Sequence, residues 1–317
     1  MIKVLALVVA LFAALPAFAQ QPFPGSQPIR IVVPFAPGGT TDLLGRAVGE
    51  ALQKRMMHPV VVENRPGAAA TIGTDIVARA PADGHTILLA APDLVVVPAV
   101  RQNLPYDIEK LTFLTKIWVQ TSLIVTGPKS GINTIEELIA KIKANPGQIR
   151  HATNGVGALN HLGQLNFDAA IGGKTIAVPY GGQGPASIDT VSGQLEFLNG
   201  ASTPLLEGLK PLAPSGSIRH PLFPNLRTLS ELGYKSAEWT SWFGFLAPPN
   251  LPKPIADRLI QEINAVMKEP EVIEKLRKAT SFVQTQEPIT GEAFRKVALD
   301  EFKTWKEVAA REKINIQ

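Results

Sequence analysis

The chain has 317 residues, 45% of them hydrophobic and 18% charged, a globular composition rather than a disordered or fibrous one. Its 31 basic and 27 acidic residues leave a net charge of +4 with no basic block, so nothing marks a nucleic-acid surface. Cysteine is absent, which excludes disulfides, thiolate metal sites and a cysteine nucleophile, and the five histidines (58, 85, 151, 161 and 220) form no HExxH pair.

The first segment, MIKVLALVVALFAALPAFAQ, has one lysine, an apolar run from Val4 to Leu15, and Ala17-Phe18-Ala19 as a small-x-small cleavage site. The run is short for a membrane span, so residues 1–19 read as a cleaved secretory signal peptide. No cysteine stands at the cleavage point to carry a lipid, and no later segment is long and apolar enough to span a bilayer. The expected product is a soluble exported protein, in a bacterial periplasm, without membrane insertion of the mature chain.

After a Pro/Gly leader, Ile31 to Val33 is β-branched and reads as a buried strand. Pro34 and Pro37 end it, Gly38-Gly39 permits a tight turn, and Thr40 or Thr41 is placed to cap a helix from about Asp42 to Met57. PVVVEN is a second strand, GAAATIGTDIVARA a small-residue helix, and HTILLAAP, from His85, a third strand. This β-α-β-α-β order implies a parallel sheet with helices on its faces. Residues 112–125 hold a strand or two, long enough to cross between domains. TIEELIAKIKANPG reads as an exposed helix with Thr134 as cap and Glu137 three residues later.

A second glycine-rich loop, beginning TNGVGALN at Thr153, again opens a helix. TIAVPY is a strand backed by Gly181-Gly182, and PASIDTVSGQLEFLNG reads as helix, turn and strand, so the middle of the chain repeats the pattern of its start. WTSWFGFLA (239–247) is an aromatic strand that can cross back, and three amphipathic helices follow. Such a path makes two lobes with a cleft: residues 26–118 and 240–317 in lobe 1, residues 119–239 in lobe 2.

A loop that leaves a parallel strand and opens a helix offers free backbone N–H groups and the positive end of the helix dipole, which suit an anion. Two such loops, 34–42 and 153–161, lie in different expected lobes. Either they grip the two ends of a small anion, or each is only a tight connection. A nucleotide is disfavoured, since PFAPGGTTD lacks both GxGxxG and the lysine of GxxxxGK[ST]. GQGPAS has no serine between its glycines, so no hydrolase elbow is present. Asp42 reads first as a structural cap of the loop and second as a ligand acceptor. His161 has a site role and a packing role in balance; the other histidines read as surface or loop residues. Phe35 either covers an apolar ligand body or plugs the sheet edge. Trp239, Trp242, Phe243 and Phe245 read as interlobe core rather than a ligand cage. No carboxylate pair and no metal triad stands out, which favours a binding protein over an enzyme, without cofactor or metal.

The stretches PIRIVVPFAPGGTTDLLGR, VVVENRPGAAATIGTDIVARAPADGHTILLA, LPYD, ELIAKIKANPGQIRHATNGVGALNHL, VPYGGQGPASIDTVSGQLEF, RTLSELGY and WFGFLAPPNLPKPIADRL resemble the extracytoplasmic solute receptors of tripartite tricarboxylate transporters, the TctC/Bug family. The resemblance runs from about Pro28 to the C-terminus. It implies an α/β, type II periplasmic-binding-protein fold, two α/β lobes around a central ligand cleft, and capture of small carboxylates. It further implies binding residues in two loops: Phe35, Ala36, Pro37, Gly38, Gly39, Thr40, Thr41 and Asp42 in the first, and Asn154, Gly155, Val156, Gly157, Ala158 and His161 in the second. Ala90, Ala91 and the Tyr180-Gly181-Gly182 turn are expected to line the cleft. Ala158 stands where the family commonly has serine, Gly181 where it has lysine, and His85 where it has tyrosine. Losing the serine hydroxyl points to a ligand with one carboxylate and an apolar or amide remainder. The implied partners are that small organic carboxylate and, transiently, membrane permease subunits, with the receptor a monomer. The alternatives are a ligand-presenting sensor component, and a secreted enzyme acting on a small carboxylate, for which Asp42 and His161 are the only pair to consider.

Overall fold

The computed structural model describes residues 23–153, 155–180, 183–201, 206–280 and 288–316. The expected signal segment and the site candidates Asn154, Gly181 and Gly182 lie outside the described residues.

Two sheets organise the described chain. The first contains β1 (Ile29–Val33), β2 (Val60–Asn64), β3 (Thr86–Ala90), β4 (Thr112–Gln120), β10 (Ser241–Ala247) and β11 (Ile289–Thr290), in the order β11-β4-β10-β3-β1-β2. The second contains β5 (Leu123–Thr126), β6 (Ile149–Thr153), β7 (Thr175–Pro179), β8 (Phe197–Ala201) and β9 (Lys210–Pro214), in the order β7-β6-β8-β5-β9. The chain passes from the first sheet to the second between Gln120 and Leu123 and returns between Pro214 and Ser241. β1 runs parallel to β2 and β3, and β6 parallel to β7 and β8, so each sheet has a common C-terminal edge where glycine loops leave. The returning strand β10 is antiparallel to both β3 and β4 and closes the first sheet around the crossover.

Alternation along the strands explains the layering. Ile29, Ile31 and Val33 of β1, with Ile87 and Leu89 of β3, face a core completed by α1 (Thr40–Met56), α7 (Lys253–Val266) and α8 (Pro270–Thr280). Val32, Leu88 and Ala90 face the opposite core, built with α2 (Thr71–Ala78), α3 (Asp93–Val100) and α9 (Gly291–Arg311). The second sheet is covered on one face by α4 (Ile135–Ala144) and α5 (Leu159–Ile171), and on the other by α6 (Gln183–Ser192). At α4 the expected cap forms: Thr134 Oγ1 accepts the Glu137 N–H at 3.2 Å, while Glu137 Oε2 accepts the Asn133 N–H at 2.6 Å.

Three readings of local structure change. Helix α1 starts at Thr40 with Gly39 as its cap residue, and neither threonine caps it. Ala68, Ala69 and Ala70 have φ of 47°, 51° and 69°, so this part of the small-residue stretch is a left-handed turn and the helix starts only at Thr71. Of the histidines read as surface or loop residues, His58 and His220 lie in loops, though buried, while His151 is buried on β6. His58 Nε2 lies 2.6 Å from the Gln27 carbonyl, which satisfies it locally, and His151 packs on the Phe197 ring inside the second sheet.

Candidate ligand-binding site

The first loop leaves β1 and is held by one carboxylate. Asp42 is buried and accepts from the Gly38 N–H at 2.8 Å, Arg46 Nε at 3.1 Å and Asn64 Nδ2 at 2.9 Å. Asn64 also donates to the Phe35 carbonyl at 3.1 Å, so the end of β2 ties both ends of the turn. These donors outweigh burial and hold the Asp42 pKa below the usual carboxylate range. With the carboxylate so engaged, the loop is a preformed shape: Phe35 lines a cavity, Ala36, Pro37, Gly38 and Gly39 are exposed, Thr40 is half-buried, and Thr41 is buried.

That cavity, of about 590 Å³, lies between elements of the two sheets and falls in the size range of small-molecule sites. The second loop supplies much of its wall through Gly155, Val156, Gly157 and Ala158, continuing into Leu159 and Asn160 of α5. Gly155 and Gly157 have φ of 118° and 80°, conformations that favour glycine. Behind the loop, His161 Nδ1 accepts the Gly157 N–H at 3.2 Å. The ring is buried and desolvation lowers its pKa, which keeps the neutral, accepting form. His161 therefore shapes the loop from behind, as Asp42 does on the other side. No side chain caps the N-terminus of α5, whose cap residue is Ala158.

Tyr180 lines the cavity at the end of β7 and donates its hydroxyl to Asp189 at 2.7 Å. Gln183 and Gly200 line it together, Gln183 Nε2 donating to the Gly200 carbonyl at 2.6 Å. Ala90 and Ala91 are buried at the end of β3; the wall is reached two residues on, at Asp93. Trp239 also lines the cavity, with its indole slotted between Gly163 and Gly200: a Cβ on either glycine would come within 2.5 Å and 2.8 Å of the ring. Trp242, Phe243 and Phe245 instead fill the cores of the first sheet.

Helix α3 is the part of the wall that local pattern did not reveal. Asp93, Val97, Val100 and Arg101 form an i, i+4, i+7, i+8 stripe facing the cavity. DLVVVPAV looks strand-like, with three consecutive valines and Pro98. The usable signal was Pro92-Asp93, a helix-start pattern directly after a strand. Burial pushes the Asp93 pKa up to about 6 although its carboxylate opens on the cavity. Beside α3, Ile316 donates its N–H to the Val100 carbonyl at 2.8 Å and adds its side chain to the wall.

Asp42 and His161 each serve their own loop and share no hydrogen bond. Among the described residues no group of three or more His, Cys, Asp or Glu has the arrangement of a metal site, and no helix is long and apolar enough to cross a membrane.

Comparison with known proteins agrees with this architecture. The TctC family model, described as Tripartite tricarboxylate transporter family receptor, matches residues 44–314. Protein BugT of Bordetella pertussis is 33% identical over 290 residues, covering 88% of this chain and 87% of BugT. The solved periplasmic binding protein BugD is 31% identical with a TM-score of 0.77, over 92% of this chain and 99% of BugD. An R. palustris protein solved with adipate is 27% identical with a TM-score of 0.78, over 92% and 99% of the two chains. Two sheets joined by paired crossings are thus a fold shared with solved receptors of this kind, and this chain belongs to the TctC family of tripartite tricarboxylate transporter receptors.

Proposed function

We propose that this protein is a periplasmic receptor that captures a small carboxylate-bearing solute between its two lobes, residues 26–118 with 240–317 and residues 119–239, and delivers it to a tripartite tricarboxylate-type permease. The observation that carries the reading is the second loop: it brings the N-terminus of α5, uncapped by any side chain, to the wall of a 590 Å³ cavity. Backbone N–H groups and the helix dipole there favour an anion. The R. palustris relative solved with adipate supports the same class. Burying a carboxylate without partners costs several kcal/mol, roughly, so the loop N–H groups and the amide and hydroxyl side chains of the wall must receive it. Contacts made by both lobes favour the closed arrangement by differential affinity. The receptor acts as a binding protein, not a catalyst: the two candidate acid–base groups are committed to loop structure.

A thermal-shift screen of ligand-stripped protein against mono-, di- and tricarboxylates, amino acids and aromatic acids tests this. Ligand at a hundredfold above its Kd stabilises the folded state by about 2.7 kcal/mol. A saturable rise with an acid is expected; stabilisation by neutral solutes alone would overturn the carboxylate reading. Mass spectrometry of the exported protein should show a chain beginning at Gln20. Uptake of the identified acid in cells that have the permease and lack this receptor should recover when the receptor is restored.

A further inference from the structure

The cavity wall carries charge at two described positions, Asp93 and Arg101. Both belong to the same helical stripe, one at the start of α3 and one just past its end. At about 1.5 Å of rise per residue their Cα atoms stand roughly 12 Å apart, too far for a direct pair unless the arginine folds back. No ion pair joins either to another described residue, and apolar Val97 and Val100 lie between them. Asp93 accepts from its own backbone N–H.

The two ends differ in surroundings. The Arg101 backbone pairs in parallel with Ile316, and Ile316 and Val100 pack on Gly157, so the residue stands where α3 meets the second loop. Asp93 stands three residues after β3, on the sheet edge from which the Phe35 loop also leaves. An anion seated on the second loop has a cation beside it; anything extending toward Asp93 meets an acid.

We infer that the preferred ligand is zwitterionic, with a carboxylate at the second-loop end near Arg101 and a protonated amine at Asp93, the valines of α3 flanking the carbon chain between. This rests on the carboxylate reading above and narrows it. An unpaired carboxylate in a largely desolvated wall gains from a cationic partner, and a second ligand carboxylate placed there is repelled. Arginine at the other end matches a carboxylate with paired N–H donors. Specificity would then come as much from rejection of dicarboxylates by Asp93 as from attraction of the amine.

Titration calorimetry with valerate, glutarate and δ-aminovalerate separates the outcomes, since the three share a five-carbon chain and differ at the far end. At pH 7.5 δ-aminovalerate should bind at least tenfold more tightly than either of the others. Asp93→Asn should remove that advantage and improve glutarate; Arg101→Met should weaken all three. Thermal melts of each variant check that it folds, and Asn at this site retains size and polarity. If glutarate or valerate binds the parent as well as δ-aminovalerate does, the zwitterion inference fails and the carboxylate reading stands. If pentylamine binds and none of the three acids does, both fail. An Asp93→Asn variant that weakens all three ligands equally also overturns the inference.

Discussion

Gly157→Ala tests how the second loop meets the other lobe. Gly157 has φ of 80°, and a Cβ there would lie 2.7 Å from Ile316 Cδ1 and 2.9 Å from Val100 Cγ2. The left-handed backbone costs an alanine about 1–2 kcal/mol wherever the lobes stand, so it lowers general stability. The steric contact is different, because it exists only when the loop sits against α3. The Ile316 methyl is the end of a flexible side chain and can turn aside. Val100 is β-branched on a helix and stiff at χ1, so its methyl holds its ground. Overpacking of this kind costs roughly 1–3 kcal/mol; with one of two contacts relieved, about 1.5 kcal/mol should fall on the ligand-gripping arrangement, roughly a tenfold loss of affinity. Titration calorimetry with the tightest-binding acid of the screen measures it. The double variant Gly157→Ala/Val100→Ala removes the clash while keeping the backbone strain, so affinity should largely return while the melting temperature stays low. Equal affinity of Gly157→Ala and parent, or failure of the double variant to recover, would refute the steric argument.

Three other outcomes are expected. Asp42→Ala strips the acceptor from Gly38, Arg46 and Asn64; it should cost about 2 kcal/mol and lower Tm by roughly 3 °C, and an unchanged melt would show that the loop holds itself. His151 is buried without a hydrogen-bond partner on either ring nitrogen, and desolvation drives its pKa down to about 3. Its folded pKa lies below the unfolded 6.5, so its share of stability is complete above pH 6.5 and is lost as pH falls toward 3, at up to about 1.4 kcal/mol per pH unit. Urea titrations across that range should show a shallower acid loss for His151→Leu, and parallel curves would count against the desolvation argument. Finally, δ-aminovalerate affinity should fall as Asp93 takes up a proton near pH 6, by about tenfold at pH 5 relative to its plateau. Neighbouring Tyr106, its pKa pushed up to about 12 by burial, stays neutral over that range. A flat profile in the parent would argue that the amine does not meet Asp93.

The order of strands and helices was largely readable, because β-branched runs, glycine turns and capping residues follow local rules. The same rules placed the loops at Phe35 and Gly155 where a cavity now opens. Asp42 could be read as a loop-holding carboxylate from its position in the first helical turn. What local pattern missed depends on packing at a distance. Helix α3 overrides the strand propensity of Val95, Val96 and Val97 by burying all three. Trp239 reaches the cavity because Gly163 and Gly200, far from it in sequence, leave room for the indole. His151 was misjudged for the same reason: it alternates correctly on a strand, but its covering came from Phe197 across the sheet.

Ile316 has a practical consequence. It pairs with Arg101 just past α3 and contributes to the cavity wall, so a group attached at this residue stands at the cleft. Phe23, by contrast, packs on His85 just before β3, at the opposite edge of the sheet, and a fusion on that side leaves the cleft untouched. The same geometry recommends position 316 for an environment-sensitive dye, which would turn the receptor into a fluorescent reporter of its own ligand.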